Sequence, residues 1–389
     1  MTRETEPAAA PVNPGSAVSP RPEVVGAVQA GPTTRRPARG GRGLNGKDGR
    51  VAWAFVTPLV VIFGLFLVVP IFMALWVSVS DWSGRGSPFS SGVNFVGLDN
   101  YANFFEPGLA QRDLTTSIRN TLYFVLLVVP LQTILAMGLA IILNSRRLKA
   151  KSFFRVAYYF PSVTSSVAVA VVFLFMFSAS GPVNVILSGI GANPPNWFAD
   201  ARGLIHVILS GFGITEAPSW ALVDLGGITL WQWLAGPSIA MCSIITLVIW
   251  VSAGGYMLIY LSSLQAIDEE INEAYLVDGA TTWQRIRTLT IPMLKPTTAL
   301  VITLGLIGTW QVFDQVYIMS QGNPGKTTLT PAYLSYTTSF SSFEWGNGSA
   351  ISFLLFALIV GLTIIQRFVL RDRDEAAARR LERKGKVRA

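Results

Sequence analysis

The chain has 389 residues, of which 51% are hydrophobic and only 13% are charged, and its mean hydropathy is +0.47. Soluble domains carry about 25% charged residues, so this composition excludes an ordinary soluble protein and indicates an integral membrane protein. The net charge is +8, but no basic and aromatic reader motif accompanies it, and we expect no nucleic-acid partner.

Residues 1–50 are rich in Pro, Ala, Gly and Arg and contain almost no large apolar side chains. Such a stretch cannot bury enough surface to fold, so it predicts a disordered tail. Arg35 and Arg36 resemble a twin-arginine export signal. The apolar run that follows starts only at Val51 and is too long for a cleaved signal, which favours an uncleaved cytoplasmic tail.

Six apolar runs follow, each near or above the ~20 residues that a helix needs to cross the hydrocarbon core. Continuous runs of this length are typical of helices rather than of barrel strands. The sequence therefore predicts an all-α integral membrane protein with six transmembrane helices. The runs cover residues 51–80, 120–145, 156–177, 238–264, 296–319 and 350–366.

Basic residues indicate the orientation of these helices, because cytoplasmic loops carry an excess of Lys and Arg. Of the 30 Lys and Arg, 25 fall in the two tails and in the loops after the second and fourth runs. Both termini and the loop 265–296 are therefore predicted to be cytoplasmic. The five basic residues of the alternate, outer loops are Arg85, Arg112, Arg119, Arg202 and Lys326.

A long outer segment, residues 193–238, contains four tryptophans and two short apolar stretches. Each stretch is too short to span, so interfacial or re-entrant elements are expected, and two additional crossings are the alternative. The predicted organisation is a tail (1–50), a transmembrane domain (51–370) that includes the insertion 193–238 and the cytoplasmic loop 265–296, and a basic cytoplasmic tail (371–389).

Residues for catalysis or cofactor binding are scarce. Cys242 is the only cysteine and His206 the only histidine, so neither a disulfide nor a metal site is expected. The segment 320–327 nearly matches a phosphate-binding loop, but Ser320 stands where the pattern needs glycine, and no strand precedes it. We expect no enzyme activity, no metal and no cofactor bound by this chain.

Asp314 is the one acid well inside an apolar run, and acids within the membrane are costly and by default functional. Trp310, Gln311, Gln315 and Tyr317 lie nearby and suit the hydroxyls and apolar ring faces of a sugar. The sequence leaves two interpretations open for this group: a substrate pathway, or helix packing with an interfacial anchor.

A polar island, residues 273–280, interrupts the apolar sequence between the fourth and fifth runs. Ile271, Ala274, Tyr275 and Asp278 fall on one side at helical spacing, and acids lead the segment, as a helix N-terminus favours. The sequence predicts a short amphipathic helix along the membrane that ends before Pro292. Either a partner docks on it or it is an ordinary loop helix.

The island resembles the EAA loop of ABC importer membrane subunits. Glu273-Ala274-Tyr275, three residues, Gly279, nine residues and then 289–292 (Leu-Thr-Ile-Pro) follow that pattern. The extension 278–284 resembles the carbohydrate-uptake branch, which includes maltose, glycerol-phosphate and multiple-sugar permeases. The resemblance covers about residues 51–370 and includes Asn100-Tyr101, Asn120-Thr121, Gly181–Asn184, Gly322–Pro324 and Gly348–Ile351.

The chain departs from the family pattern at a few positions. Tyr275 replaces the second alanine, Asp268 stands where the family often has proline, and Leu289 and Ile291 exchange the usual Ile and Leu. The insertion 193–238 is longer than the usual loop, so the resemblance implies no role for it.

The resemblance implies a transporter that consists of several subunits. A second homologous permease subunit, two cytoplasmic ATPase subunits that bind ATP and Mg, and an external solute-binding protein would work with this chain in the bilayer of a bacterial or archaeal cell membrane. The cargo would be a sugar, a polyol or a glycerol-phosphate ester. The implied ATPase-docking residues are Glu273, Ala274, Tyr275, Asp278, Gly279, Ala280 and Pro292.

An ion-coupled secondary transporter or channel is the alternative function. It predicts inverted repeats and coupling charges within the membrane. The sequence contains no convincing repeat of that kind, and Asp314 is its one candidate charge.

Overall fold

The computed structural model describes residues 46–145 and 148–369, which fold almost entirely into helices. This described part contains three isolated β-bridges and no strand, so the predicted all-α class is confirmed. The predicted tail 1–50 lies outside the described residues up to position 45, and the predicted tail 371–389 lies outside them completely.

The described residues divide into two compact units, 46–63 and 64–369. The described part of the first unit is α1 (Gly46–Phe63), an apolar helix that contains Pro58. The second unit begins with a π-helical turn, Gly64–Val68. Its helices are α2 (Val69–Ser78), α3 (Asp99–Ala102), α4 (Leu109–Asn144), α5 (Lys151–Val163), α6 (Ser166–Met176), α7 (Pro182–Gly189), α8 (Leu204–Gly211), a 3₁₀ turn (Ser219–Leu222), α9 (Leu230–Trp233), α10 (Ile239–Gln265), α11 (Glu269–Val277), α12 (Thr282–Arg285), a π-helical turn (Ile286–Thr290), α13 (Ile291–Met293), α14 (Lys295–Trp310), α15 (Asp314–Met319), α16 (Pro331–Phe340) and α17 (Trp345–Val369).

Four stretches of helix are long and apolar enough to cross a membrane, namely Val51–Ser78, α4, α10 and α17. Two further pairs reach that length only when taken together. One is α5 with α6, bent by 99°, and the other is Thr282–Met293 with α14, bent by 63°. The described residues thus hold four candidate spans, or six if each bent pair is one span.

The bend between α5 and α6 interrupts the run that the sequence predicts as one crossing. Thr164 and Ser165 are extended, which frees backbone groups of the preceding turn. Two hydroxyls bond carbonyls of that turn: Ser162 donates to Tyr159 at 2.7 Å and Thr164 donates to Phe160 at 2.8 Å. Side chains that back-bond in this way make a helix break tolerable in an apolar environment.

The run 296–319 is also two helices, because α14 ends at Trp310 and α15 begins at Asp314. At this break the Thr330 hydroxyl donates to the Val312 carbonyl at 3.1 Å. The predicted fifth crossing therefore contains a break near its Asp314 end, held by a side chain from another segment.

The helices α4 and α10 form the centre of the second unit and run in the same direction. Phe124 of α4 shares a core cluster with Ile244 of α10, and Leu143 shares another with Leu264. The helix α17 follows the same direction, since its start and its middle pack against the start and the middle of α4. The α14–α15 pair returns in the opposite direction: Leu294, just before α14, belongs to the cluster of Leu143, and α15 joins the cluster of Phe124.

We name the two ends of this bundle after the termini of α4, the Leu109 end and the Asn144 end. The loop 266–294 lies at the Asn144 end. The segments 177–238 and 320–344 lie at the Leu109 end. The predicted separation of the island from the outer insertion is therefore present in the fold as two opposite ends.

Small residues permit close approach of the helices, as is common in membrane bundles. A Cβ at Gly254 in α10 would clash with the backbone carbonyl oxygen of Tyr158 in α5. A Cβ at the adjacent Gly255 would have only an ordinary contact, 3.9 Å from Ser162. The crossing of α5 and α10 thus depends on one glycine and not on its neighbour.

These adjacent glycines give a matched test of the crossing. We expect Gly254→Ala to lower the free energy of unfolding by about 1–3 kcal/mol, because the added methyl group meets backbone that cannot move aside. Gly255→Ala gains the same helix propensity without the clash, so it should keep or raise stability. Thermal unfolding of the purified variants in detergent measures both, and equal stability of the two would contradict the close crossing.

Candidate functional site

The predicted docking helix is α11, and it ends in a glycine cap. The Asp278 amide donates to the Ala274 carbonyl at 3.0 Å, and the Ala280 amide donates to the Tyr275 carbonyl at 3.1 Å. The second bond closes the turn around Gly279, whose φ is +71°. This left-handed backbone is why glycine suits the position: it stops the helix and satisfies its last carbonyls.

The chain after this cap is anchored to the bundle. Thr281 and Gln284 form a capping box at the start of α12, with the Thr281 amide donating to the Gln284 side chain at 2.8 Å. Leu289 and Leu294 are then buried, and Leu294 packs in the core cluster that includes Leu143 and Leu264. The loop is therefore capped at its tip and fixed by leucines at the root of α14.

The predicted docking residues lie together on this loop at the Asn144 end. Most are exposed, whereas Tyr275 and Ala280 are half-buried. A Cβ at Gly279 would meet no atom within 4 Å, so no described part of the chain approaches this point. The exposed members of the set are Glu273, Ala274, Asp278, Gly279 and Pro292.

Two apolar side chains of the loop are much more exposed than their chemistry favours. Val277 is 88% exposed and Trp283 is 68% exposed. The sequence analysis did not place either among the docking residues, although bulky apolar residues in and just after a polar island were the available signal. Together with the residues above they form a surface on which a protein partner could bury apolar area.

Three of the five predicted pathway residues border a cavity of 270 Å³ among α4, α10 and the break before α15. We call it the inner cavity. Gln311, Asp314 and Gln315 line it, whereas Trp310 and Tyr317 do not. Its other lining residues are Phe124, Gln132, Val248, Ser252, Tyr256, Gly305, Gly308, Thr309, Val312 and Phe313.

Asp314 lies where two helix breaks meet. It is the first residue of α15, and its carboxylate accepts a hydrogen bond of 2.9 Å from the hydroxyl of Ser166, the first residue of α6. Both helix starts favour a negative charge nearby. The two bent segments are therefore tied together by one polar contact on the wall of the inner cavity.

Gln132 is a polar residue of the inner cavity that the sequence analysis missed. It is 1% exposed, and its side-chain nitrogen has no hydrogen-bond partner in the described part of the chain. A Cβ at Gly305 would clash with that nitrogen, so glycine opens the space it faces. A buried amide with spare donors can bond a ligand oxygen. The available signal was an amide side chain in the middle of the second apolar run; Ser252 and Tyr256 of the fourth run line the same cavity.

Trp310 serves packing rather than the cavity wall. It is 2% exposed and shares a core cluster with Val125, Val129 and Ile359. Its indole N–H has no hydrogen-bond partner among the described residues. The helix-packing interpretation, which the sequence left open, describes this residue.

Aromatic rings lead from the inner cavity towards the Leu109 end. Phe313, on the cavity wall, lies 5.5 Å from Tyr317 and 5.3 Å from Tyr336 between ring centroids. Tyr336 lies 5.0 Å from Phe340, which lies 4.6 Å from Trp345. Tyr317 and Phe340 are 42% and 53% exposed. This aromatic row offers apolar faces of the kind that line small-molecule sites.

The segment 320–327, which nearly matches a phosphate-binding loop, consists of turns that follow the helix α15. A phosphate-binding loop follows a strand and opens a helix, so this context differs from the motif. Within the described residues, no three His, Cys, Asp or Glu side chains are grouped to hold a metal ion.

Known proteins resemble this chain over most of its length. It is 30% identical over 328 residues to a lactose transport system permease of Rhizobium radiobacter, which covers 82% of this chain and 94% of that protein. It is 28% identical over 333 residues to a trehalose/maltose transport system permease of Thermococcus litoralis, at 85% and 97% coverage.

A solved structure shares the fold. A bacterial ABC transporter involved in the import of the acidic polysaccharide alginate superimposes with a TM-score of 0.63 at 19% identity, over 84% of this chain and 96% of that one. Residues 132–374, which include both the docking loop and most of the inner cavity, match the family described as binding-protein-dependent transport system inner membrane component. This chain is therefore a member of the family of inner membrane components of binding-protein-dependent transport systems.

Proposed function

We propose that this chain is the membrane-spanning permease subunit of an ATP-driven ABC importer for a sugar, or for a related polyol or glycerol-phosphate solute. The observation that carries the proposal is the capped loop around Gly279, which is exposed at one end of a bundle of this family. The chain itself would be non-catalytic and bind no cofactor, with ATP and Mg held by two cytoplasmic ATPase subunits.

In this proposal each bent pair is one crossing, which gives six spans with both termini in the cytoplasm of a bacterial or archaeal cell. The alternating helix directions support this topology, and so does the excess of Lys and Arg at the Asn144 end and in the tails. The tails 1–50 and 371–389 and the loop 265–296 would then be cytoplasmic, and the insertion 193–238 would be outside.

The docking loop would couple the ATPase to the cavity through α14. An ATPase that grips Glu273 and Gly279 would move the loop, and buried Leu289 and Leu294 tie that loop to the bundle. The helix α14 extends about 24 Å from this root to the break beside Asp314. A partner that binds one position of the loop better would thereby shift the cavity between inward-open and outward-open states.

A sugar fits the chemistry of the inner cavity. Hydroxyl groups need hydrogen-bond partners, which Gln132, Gln311 and Asp314 supply, and the apolar ring faces suit Phe313. The sugar cargoes in the names of the two relatives support this class. At 270 Å³ the cavity is at the small end for a ligand site, and a second homologous permease subunit would complete it, with a solute-binding protein delivering the cargo.

The topology is open to a labelling test. In a Cys242→Ala background, Ser83→Cys at the Leu109 end should react with a membrane-impermeant maleimide in intact cells, because that end is proposed to face outwards. Thr282→Cys in the docking loop should react only after the membrane is permeabilised. Labelling of both sites from the same side would contradict the six-span topology.

The docking surface is tested by two substitutions with matched controls. Glu273→Ala and Gly279→Asp should each reduce co-purification of the ATPase subunits, and with it uptake, by about tenfold, as loss of an interface hot spot does. Glu216→Ala and Gly86→Asp are the controls at the other end. Gly86 has a φ of +70° and open space around it, like Gly279 at +71°, so backbone strain is equal in the pair.

If the control variants lose the ATPase as strongly as the docking variants do, strain or misfolding explains the loss. The docking proposal then fails. Retention of the ATPase by both docking variants would contradict it equally.

The pathway is tested at Asp314. Asp314→Asn keeps an acceptor for Ser166 but removes the charge, and we expect uptake to fall about tenfold because hydrogen bonds to charged groups are worth ~1.5–3 kcal/mol. Asp99→Asn, at another exposed acid that begins a short helix, is the control. Assayed as transport of radiolabelled sugar in proteoliposomes, unchanged uptake by Asp314→Asn would favour the interfacial-anchor interpretation.

A further inference from the structure

A second cavity, of 760 Å³, lies at the Leu109 end, outside the docking loop and the inner cavity. The start of α4, the insertion and the loop 325–327 enclose it. We call it the insertion cavity. The side chains on which its chemistry depends are Arg112, Arg119, Arg202, His206, Trp231 and Lys326.

Four basic residues from three separate segments converge on this cavity. They are four of the five basic residues that the charge count assigns to outer loops, and Arg85 is the one that lies elsewhere. Such convergence of like charges is unfavourable unless negative groups, either acids of the chain or a bound anion, lie among them. The insertion cavity thus has the charge pattern of an anion site.

Two of the four cations are neutralised by neighbouring acids. Lys326 contacts the Asp113 carboxylate at 2.7 Å, and Arg202 contacts Asp200 at 2.7 Å. The Arg202 guanidinium holds the pKa of the Asp200 carboxyl below its ordinary value. Both basic side chains remain more than half exposed, so they are available at the mouth of the cavity.

The other two cations, Arg112 and Arg119, have no acidic partner within the described residues. Arg119 is only 8% exposed; it donates to the Gln232 carbonyl at 3.0 Å and to the Asn120 side chain at 2.7 Å. Its buried Nε–H has no partner in the described part of the chain. A buried guanidinium without an anion carries a desolvation penalty of several kcal/mol, which a bound anion would offset.

The helix α8 that walls the cavity has two different faces. His206 and Ser210 face the cavity, and the His206 ring stacks on Trp231 at 4.2 Å. On the opposite face, at helical spacing, Ile208 and Phe212 are 53% and 80% exposed. An apolar stripe of this kind on a short helix is typical of an element that lies in the membrane interface.

The helix α8 repeats a short sequence that is also present in α7. The sequence Val-Ile-Leu-Ser-Gly occurs at 185–189 in α7 and again at 207–211 in α8. Each copy is followed two residues later by a left-handed glycine, Gly191 at φ +81° and Gly213 at φ +83°, and each exposes its isoleucine. The insertion therefore carries a second copy of this five-residue sequence, with the cationic cavity behind it.

The position of Arg119 along α4 places the cavity at the depth of the lipid headgroups. Arg119 lies 25 residues before Asn144 on the same helix, about 37 Å along the axis at 1.5 Å per residue. The hydrocarbon core is about 30 Å thick and the whole bilayer about 40–45 Å. With the Asn144 end at one boundary of the core, Arg119 reaches the phosphate level of the opposite leaflet.

We propose that the insertion cavity binds the phosphate of an anionic phospholipid headgroup, with Arg119 and Arg112 as its principal ligands. The apolar stripe of α8 sets the cavity at headgroup depth. This site does not depend on the identity of the transported solute. A free phosphate or sugar phosphate shares the chemistry but would not need the stripe.

Native mass spectrometry of the full-length protein tests the site, with phosphatidylglycerol as the probe in neutral detergent. Wild type should retain the lipid. Arg112→Gln and Arg119→Gln should each weaken retention about fivefold, the equivalent of the ~1 kcal/mol that one basic residue contributes at an anionic lipid surface. Arg85→Gln is the matched control and should retain the lipid as wild type does.

Three results would overturn the proposal. One is equal retention by Arg112→Gln and Arg85→Gln; because Arg112 is exposed, its substitution avoids the folding risk at buried Arg119. Another is displacement of the lipid by inorganic phosphate or glycerol 3-phosphate at equal concentration, which would identify a soluble anion as the ligand. The third is unchanged lipid retention by Arg112→Gln with weaker binding of the solute-binding protein, which would make the cavity a protein-docking surface.

Discussion

The structure depends on one constraint: inside a bilayer, every backbone polar group must find its hydrogen bond within the protein. Long unbroken helices such as α4 and α10 meet it by themselves, and they form the centre of the bundle. Near the inner cavity two helices are interrupted, and there side-chain hydroxyls bond the backbone carbonyls. At the α5–α6 bend Ser162 and Thr164 bond carbonyls of the last turn of α5, and at the α14–α15 break Thr330 bonds the Val312 carbonyl. Because hydroxyls satisfy these sites, the chain can place irregular backbone, and with it Asp314, beside a cavity.

The same breaks bear on the proposed coupling between the docking loop and the inner cavity. A continuous helix from the docking loop to the Leu109 end would transmit only a rigid tilt. Here Leu294 packs in the core just before α14 begins, and α14 ends at Trp310. After the break, Asp314 accepts a hydrogen bond from Ser166 of the other bent segment. Two helix breaks joined by one hydrogen bond are the kind of element whose position a partner can bias.

The sequence predicted the helical class, the positions of the apolar runs and the separation of the island from the insertion, because each is recorded in local composition. It could not predict the bends, since residues 156–177 are as apolar as an unbroken span and the hydroxyls that stabilise the bend resemble ordinary helix residues. It grouped Trp310 and Tyr317 with Asp314 by proximity in sequence and left pathway and packing roles open; in the structure Trp310 is buried in a packing cluster and Tyr317 lies in the aromatic row. Gln132 was missed because only the fold brings it opposite Gly305.

Counting Lys and Arg in each loop also has one specific weakness. It treats basic residues as interchangeable, so the few on the outer side register only as exceptions to an asymmetry. In a membrane protein, basic residues in outer loops are candidates for a specific role, because Lys and Arg are otherwise concentrated in cytoplasmic loops. Four of the five meet in one cavity, and the insertion that walls it repeats a five-residue sequence of α7. The few basic residues of the outer loops therefore indicate a second site better than the many cytoplasmic ones do, because the fold brings them together.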